Sequence, residues 1–207
     1  MKFTTLGFFA VFANAQIDEI DDRRFAAIGK FINATVTTSF TLSALNKMIQ
    51  NYGCHCFPNG SRSPGGVGEP VDAQDSLCKT LSRCHACVDL DFNGACDPEG
   101  GYKYTVDSST GAISCSSNTE LCKQRACECD KKFAEDLGAL WDDASFDYTM
   151  WNNKNNALAT LDYASTCVKL AGNPNTDCCG TYPERRPYSN VVNECCVDGS
   201  VKTIGNC

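Results

Sequence analysis

The sequence has no apolar run long enough to cross a membrane. Leu6–Phe12 is apolar, but it falls well short of the roughly 18 residues a span requires, and no other stretch comes near. Positive charge is also scarce. Eighteen Lys and Arg stand against 25 Asp and Glu, a net charge of −7. Nucleic acids and anionic membranes both select Lys/Arg-rich faces, so the balance argues against either as a partner. Its plainest role is solubility. There is no odd cysteine: sixteen are present, so every one can pair and none need remain a free thiol.

What is present points to export. Lys2 precedes the apolar run, and Ala13-Asn14-Ala15 has the small-x-small form of a cleavage site. The expected division is therefore a signal peptide at 1–15, with the mature chain starting near Gln16. Losing Lys2 would leave 17 basic against 25 acidic groups, a net −8. Thiols at this density persist as disulfides in an oxidising compartment. Zinc is the alternative, but Cys127-Glu128-Cys129 is too tight for a zinc knuckle. A secreted, extracellular, non-transmembrane protein is the expectation.

Residues 16–38 are read as an N-terminal or pro-segment, with a short acidic-then-basic helix over Ile17–Lys30. Asn33 and Asn59 open glycosylation sequons. Leu42, Leu45, Met48 and Ile49 share one helical face, and the glycines and prolines of Tyr52–Gly68 require a loop. Asp75–Leu90 predicts a helix with Leu77, Leu81, Cys84 and Val88 as its stripe. Tyr102, Tyr104 and Val106 alternate before a turn at Ser108–Gly111, which predicts a small hairpin. Thr119–Leu137 predicts a further helix with Cys122, Ala126, Cys129 and Phe133 inward. Residues 141–207 form an extension whose Cys-, Gly- and Pro-rich end is too loop-rich to bury a core and needs its own bridges.

Tyr52-Gly53-Cys54-His55-Cys56, the run Gly65–Asp75, the Cys78/Cys84 spacing, Tyr102-Lys103-Tyr104, and Cys115, Cys122 and Cys127-Glu128-Cys129-Asp130 follow one another in order. Together they resemble the secretory phospholipase A2 family, over 39–140. The resemblance implies a mainly α, disulfide-rich fold with two antiparallel, disulfide-linked helices, a calcium-loop-like segment and a small β-wing. It implies the bridges Cys56–Cys78, Cys84–Cys129, Cys96–Cys122 and Cys115–Cys127. Leu77 and Asp136 stand where the family has one further bridged pair. Cys54 then needs a partner in the extension, for which Cys167 is a candidate, and the pairing of the remaining cysteines stays open.

In that family a His on the second helix is the general base, and the next Asp, with loop carbonyls, holds calcium at the developing charge. Counted from Cys78, these positions here hold Leu81 and Ser82. Leu cannot accept a proton, and Ser is a weak neutral ligand where calcium wants carboxylate. Calcium is then a cofactor only if the backbone carbonyls of His55, Phe57 and Gly65 hold it without that carboxylate. The loop departs too, with extra residues between Cys56 and Gly65 and with His55 at a common Tyr position.

His85 lies one turn beyond Leu81, where the resemblance places a Tyr bonded to the third-helix Asp, here Asp130. His85 and Asp130, with Tyr102 as a further donor, form a candidate dyad displaced by one turn. The blander reading makes His85 a structural stand-in for the Tyr, and it is preferred. The favoured functional reading is a phospholipase A2-like protein without normal calcium-dependent hydrolysis. It would bind lipid, as phospholipid or fatty acid, in a slot walled by Leu42, Leu45, Leu81 and Val88, or serve as an extracellular scaffold among matrix proteins. The Cys178-Cys179 and Cys195-Cys196 doublets bear a short resemblance to galaxin-type matrix modules. The alternative is an active lipase using His85 and Asp130 on the sn-2 ester of phospholipids.

Overall fold

The computed structural model describes residues 17–36, 41, 49–58, 64–95, 101–143, 148–150 and 159–207. The expected signal peptide, Asn59, Cys96, and the Leu42, Leu45 and Met48 face lie outside these residues.

The second helix starts where its sequence asks it to. Asp72, in an extended conformation, accepts from the Asp75 N–H at 2.8 Å and caps α2 (Ala73–Asp91). Left-handed Asn93 and Gly94 follow its end. Cys78, Leu81, Cys84, His85 and Val88 turn inward as one stripe. The third long helix, α3 (Leu121–Asp143), buries Cys122, Ala126, Cys129, Phe133, Ala134 and Leu137. Trp141 of α3 donates to the Gln74 side chain (2.9 Å) at one end of the pair, while Cys84–Cys129 joins their middles. Rising position on α2 thus meets falling position on α3, so the two run antiparallel.

Residues 17–23 are not helical. They form β1 (Ile17–Arg23), which pairs antiparallel with β2 (Gly101–Asp107) from Ile17↔Asp107 to Arg23↔Gly101. β3 (Ile113–Ser114) pairs on the other side, so the wing has three strands with β2 central. α1 (Arg24–Thr35) follows β1 directly. Its Ala27, Ile28, Phe31 and Ile32 are fully buried in the same core as α2 and α3. Phe31 meets Tyr104 edge-on at 4.7 Å, and Thr35 Oγ1 donates to the Ala134 carbonyl (3.0 Å). The segment at 16–38, read as an N-terminal or pro-segment, supplies both a strand and a core helix.

The extension holds a single-turn helix, α4 (Tyr163–Thr166), and two hairpins, β4 (Asp177–Cys179) with β5 (Arg186–Tyr188) and β6 (Asn193–Cys195) with β7 (Val201–Thr203). Cys179–Cys195 ties the hairpins together, and Cys196–Cys207 closes the second. Cys54–Cys167 and Cys87–Cys178 fasten this unit to the helical body. A polar cluster adds to the seam. Arg185 chelates Asp91 (2.6 and 3.0 Å), the Tyr182 hydroxyl donates to the same carboxylate (2.9 Å), and Arg125 lies 5.3 Å over the Tyr182 ring.

Candidate active site

Asp130 is fully buried, and both of its oxygens are engaged. His85 Nε2 lies 2.6 Å from Oδ1, and the Tyr102 hydroxyl donates to Oδ2 at 2.6 Å. A carboxylate only accepts, so Nε2 carries the proton in that bond. Nδ1 makes no hydrogen bond among the described residues. Burial raises the Tyr102 pKa well above the phenol range, and the Asp130 charge adds to it, so Tyr102 stays a donor. Arg24, at the head of α1 and itself buried, acts on Tyr102 in the opposite direction. Its Nε has no hydrogen-bond partner.

One turn back from His85, Leu81 is 2 % exposed and packs into the core. Ser82 points toward the glycine loop: a Cβ placed on Gly65 would stand 3.7 Å from Ser82 Oγ. No carboxylate occupies this position.

The loop itself is organised by Asp75. This buried side chain accepts from the N–H groups of Cys54 (2.8 Å), His55 (2.7 Å) and Val71 (3.0 Å). A Cβ on Gly53 would overlap the same carboxylate at 2.3 Å, and Gly53 also has φ +55°, so both space and backbone require glycine there. The Tyr52 hydroxyl bonds the neighbouring Asp72, and Cys56–Cys78 pins the loop to α2. Of the three carbonyls in question, His55 O already accepts from the Gly65 N–H at 3.1 Å. Phe57 is fully buried with φ +44°. The His55 ring bonds the Gly68 carbonyl at 3.1 Å, and Lys79 Nζ donates to that same carbonyl at 3.1 Å and to Glu69 at 3.0 Å. Burial lowers the His55 pKa, with Asp75 opposing the effect.

Sequence reasoning missed two of these groups. Asp75 was read only as the start of a helix, not as the acceptor that holds the loop. Arg24 lay in a segment read as separate from the domain, and nothing local connects it to Tyr102. Of the bridges the resemblance implied, Cys56–Cys78, Cys84–Cys129 and Cys115–Cys127 are present. Cys122 is disulfide-bonded, but Cys96 lies outside the described residues.

The sequence profile described as Phospholipase A2 matches residues 30–144. The chain is similar to group IID secretory phospholipase A2 of Mus musculus, at 33 % identity over 118 residues, covering 51 % of this chain and 75 % of that protein. It is similar to the membrane-associated phospholipase A2 of the same species at 39 % over 84 residues, covering 41 % and 51 %. It is also similar to a basic phospholipase A2 of Micrurus corallinus at 35 % over 85 residues, covering 41 % and 53 %. The chain thus spans about half the length of the latter two. Two cross-bridged helices and a wing meeting at one buried Asp accompany a profile match over more than half of the chain, and the protein belongs to the phospholipase A2 family.

Proposed function

We propose that this protein is an extracellular phospholipase A2-like protein that has given up calcium-dependent hydrolysis and serves as a lipid-binding or scaffold protein. The observation that carries the reading is Leu81, a side chain without a lone pair, buried where the resemblance places the base. The loop argues the same way. Calcium takes six to eight oxygens and prefers carboxylates. Here Ser82 offers a neutral hydroxyl, Asp75 is committed to three backbone N–H groups, His55 O already has a donor, and the Lys79 ammonium sits at Gly68. That donor set does not suit calcium. Seven disulfides between described residues fit an oxidising compartment.

A second reading is favoured by the 2.6 Å contact between His85 and Asp130. With Nε2 held by the carboxylate, Nδ1 of the neutral ring can take a proton from water. One experiment separates the two. Phosphatidylcholine and phosphatidylglycerol vesicles are incubated with the purified protein in calcium and in chelator, and released fatty acid is measured. We expect no calcium-dependent release and no calcium heat in titration calorimetry. Hydrolysis that vanishes in His85→Ala would establish the displaced dyad instead.

A further inference from the structure

Between α2 and the extension lies a cavity of about 480 Å³ that belongs to neither the catalytic-type network nor the loop. Arg83 of α2 and Arg186 of β5 both line it, together with Asn173, Asn175, Tyr188 and Ser189. The protein is acidic overall, so two arginines lining one hollow stand out. Among the described residues neither Arg83 nor Arg186 has an ion-pair or hydrogen-bond partner. Ser189 is 4 % exposed, and its buried Oγ has no hydrogen-bond partner among the described residues. A buried hydroxyl of this kind calls for a partner from outside the protein. Tyr188, which lines the cavity, donates its hydroxyl to Asp177 at 3.4 Å.

We propose that this cavity is a binding site for an acidic saccharide, a sugar bearing a carboxylate or sulfate group. Planar guanidinium forks match the oxygens of either anion. The two amides, the Tyr188 hydroxyl and the orphaned Ser189 hydroxyl match the ring hydroxyls of a sugar, a density of polar groups that an acyl chain could not satisfy. The volume holds one or two sugar rings, within the usual range for small-ligand sites. The site does not depend on whether the protein hydrolyses lipid.

Titration calorimetry of the full disulfide-intact protein with glucose 6-sulfate and with glucuronic acid tests this, with glucose and inorganic sulfate as controls. At least one acidic sugar should bind more tightly than both controls. Arg83→Gln and Arg186→Gln should each weaken it by about 10- to 100-fold, and Ser189→Ala by about 3- to 10-fold. Phospholipid assays should be unchanged. Failure of both acidic sugars to bind overturns the proposal, as does inorganic sulfate binding as tightly as the sulfated sugar, or glucose binding as tightly as either. So does unaltered affinity in the two arginine variants. Both arginines are exposed, so these variants decide the matter even if Ser189→Ala does not fold.

Discussion

Asp130 is the residue on which most of the site converges. It is fully buried and held by two partners, so removing its charge leaves the His85 and Tyr102 donors without a full acceptor. A hydrogen bond to a charged group is worth about 1.5–3 kcal/mol, and one between neutral groups about 1 kcal/mol. Asp130→Asn should therefore lower unfolding stability by about 3 kcal/mol, and Tyr102→Phe by about 1–2 kcal/mol because the donor bonds a charged group. Urea unfolding with disulfides intact checks both. Equal small effects would mean that the network is solvent-satisfied. Leu81 and Ser82 could be read from sequence because a count from Cys78 along one helix fixes them. Asp75 and Arg24 could not, since each acts on residues brought near only by the fold, at Cys54 and at Tyr102.

Elements with local signals were legible. The α2 stripe, the β2–β3 hairpin with its turn, and α3 all fall near their expected places, although α3 runs on to Asp143. β1 was misread because Asp18–Asp22 followed by Arg23 and Arg24 has the acidic-then-basic order of a short helix, while its partner β2 lies far along the chain. Ile17, Asp18, Glu19, Ile20, Asp21 and Asp22 do not alternate as a half-buried strand does, so no period of two was there to find. Of the tail bridges, Cys54–Cys167 was a candidate from the sequence and is present, while the others were illegible because connectivity among several cysteines does not follow from spacing. Cys87–Cys178 joins α2 to β4 across 91 positions. Replacing both cysteines by Ser should cost about 2–5 kcal/mol. Hydrogen exchange should then rise in β4 and β5 and stay low in α2. Exchange rising equally in α2 would show that the tail supports the helical body rather than merely leaning on it.

At the scale of the whole molecule, stability should depend on pH through His55. Its folded pKa is lowered below 6.5 by burial, so between that lowered value and 6.5 the unfolded chain binds the proton and the folded one does not. The stability contribution is complete above pH 6.5 and is lost as pH falls through the unfolded value. One proton limits the slope to about 1.4 kcal/mol per pH unit. Denaturation midpoints should be flat from about pH 7 to 8 and decline below about 6.5. His55→Gln should decline less, and identical slopes in the two proteins would sink the assignment. The two long-range bridges have one more result, purely topological. Cys54–Cys167 and Cys87–Cys178 both straddle Tyr148–Met150. A protease that nicked the backbone there would yield two polypeptides that still travel as one particle until a reductant parts them.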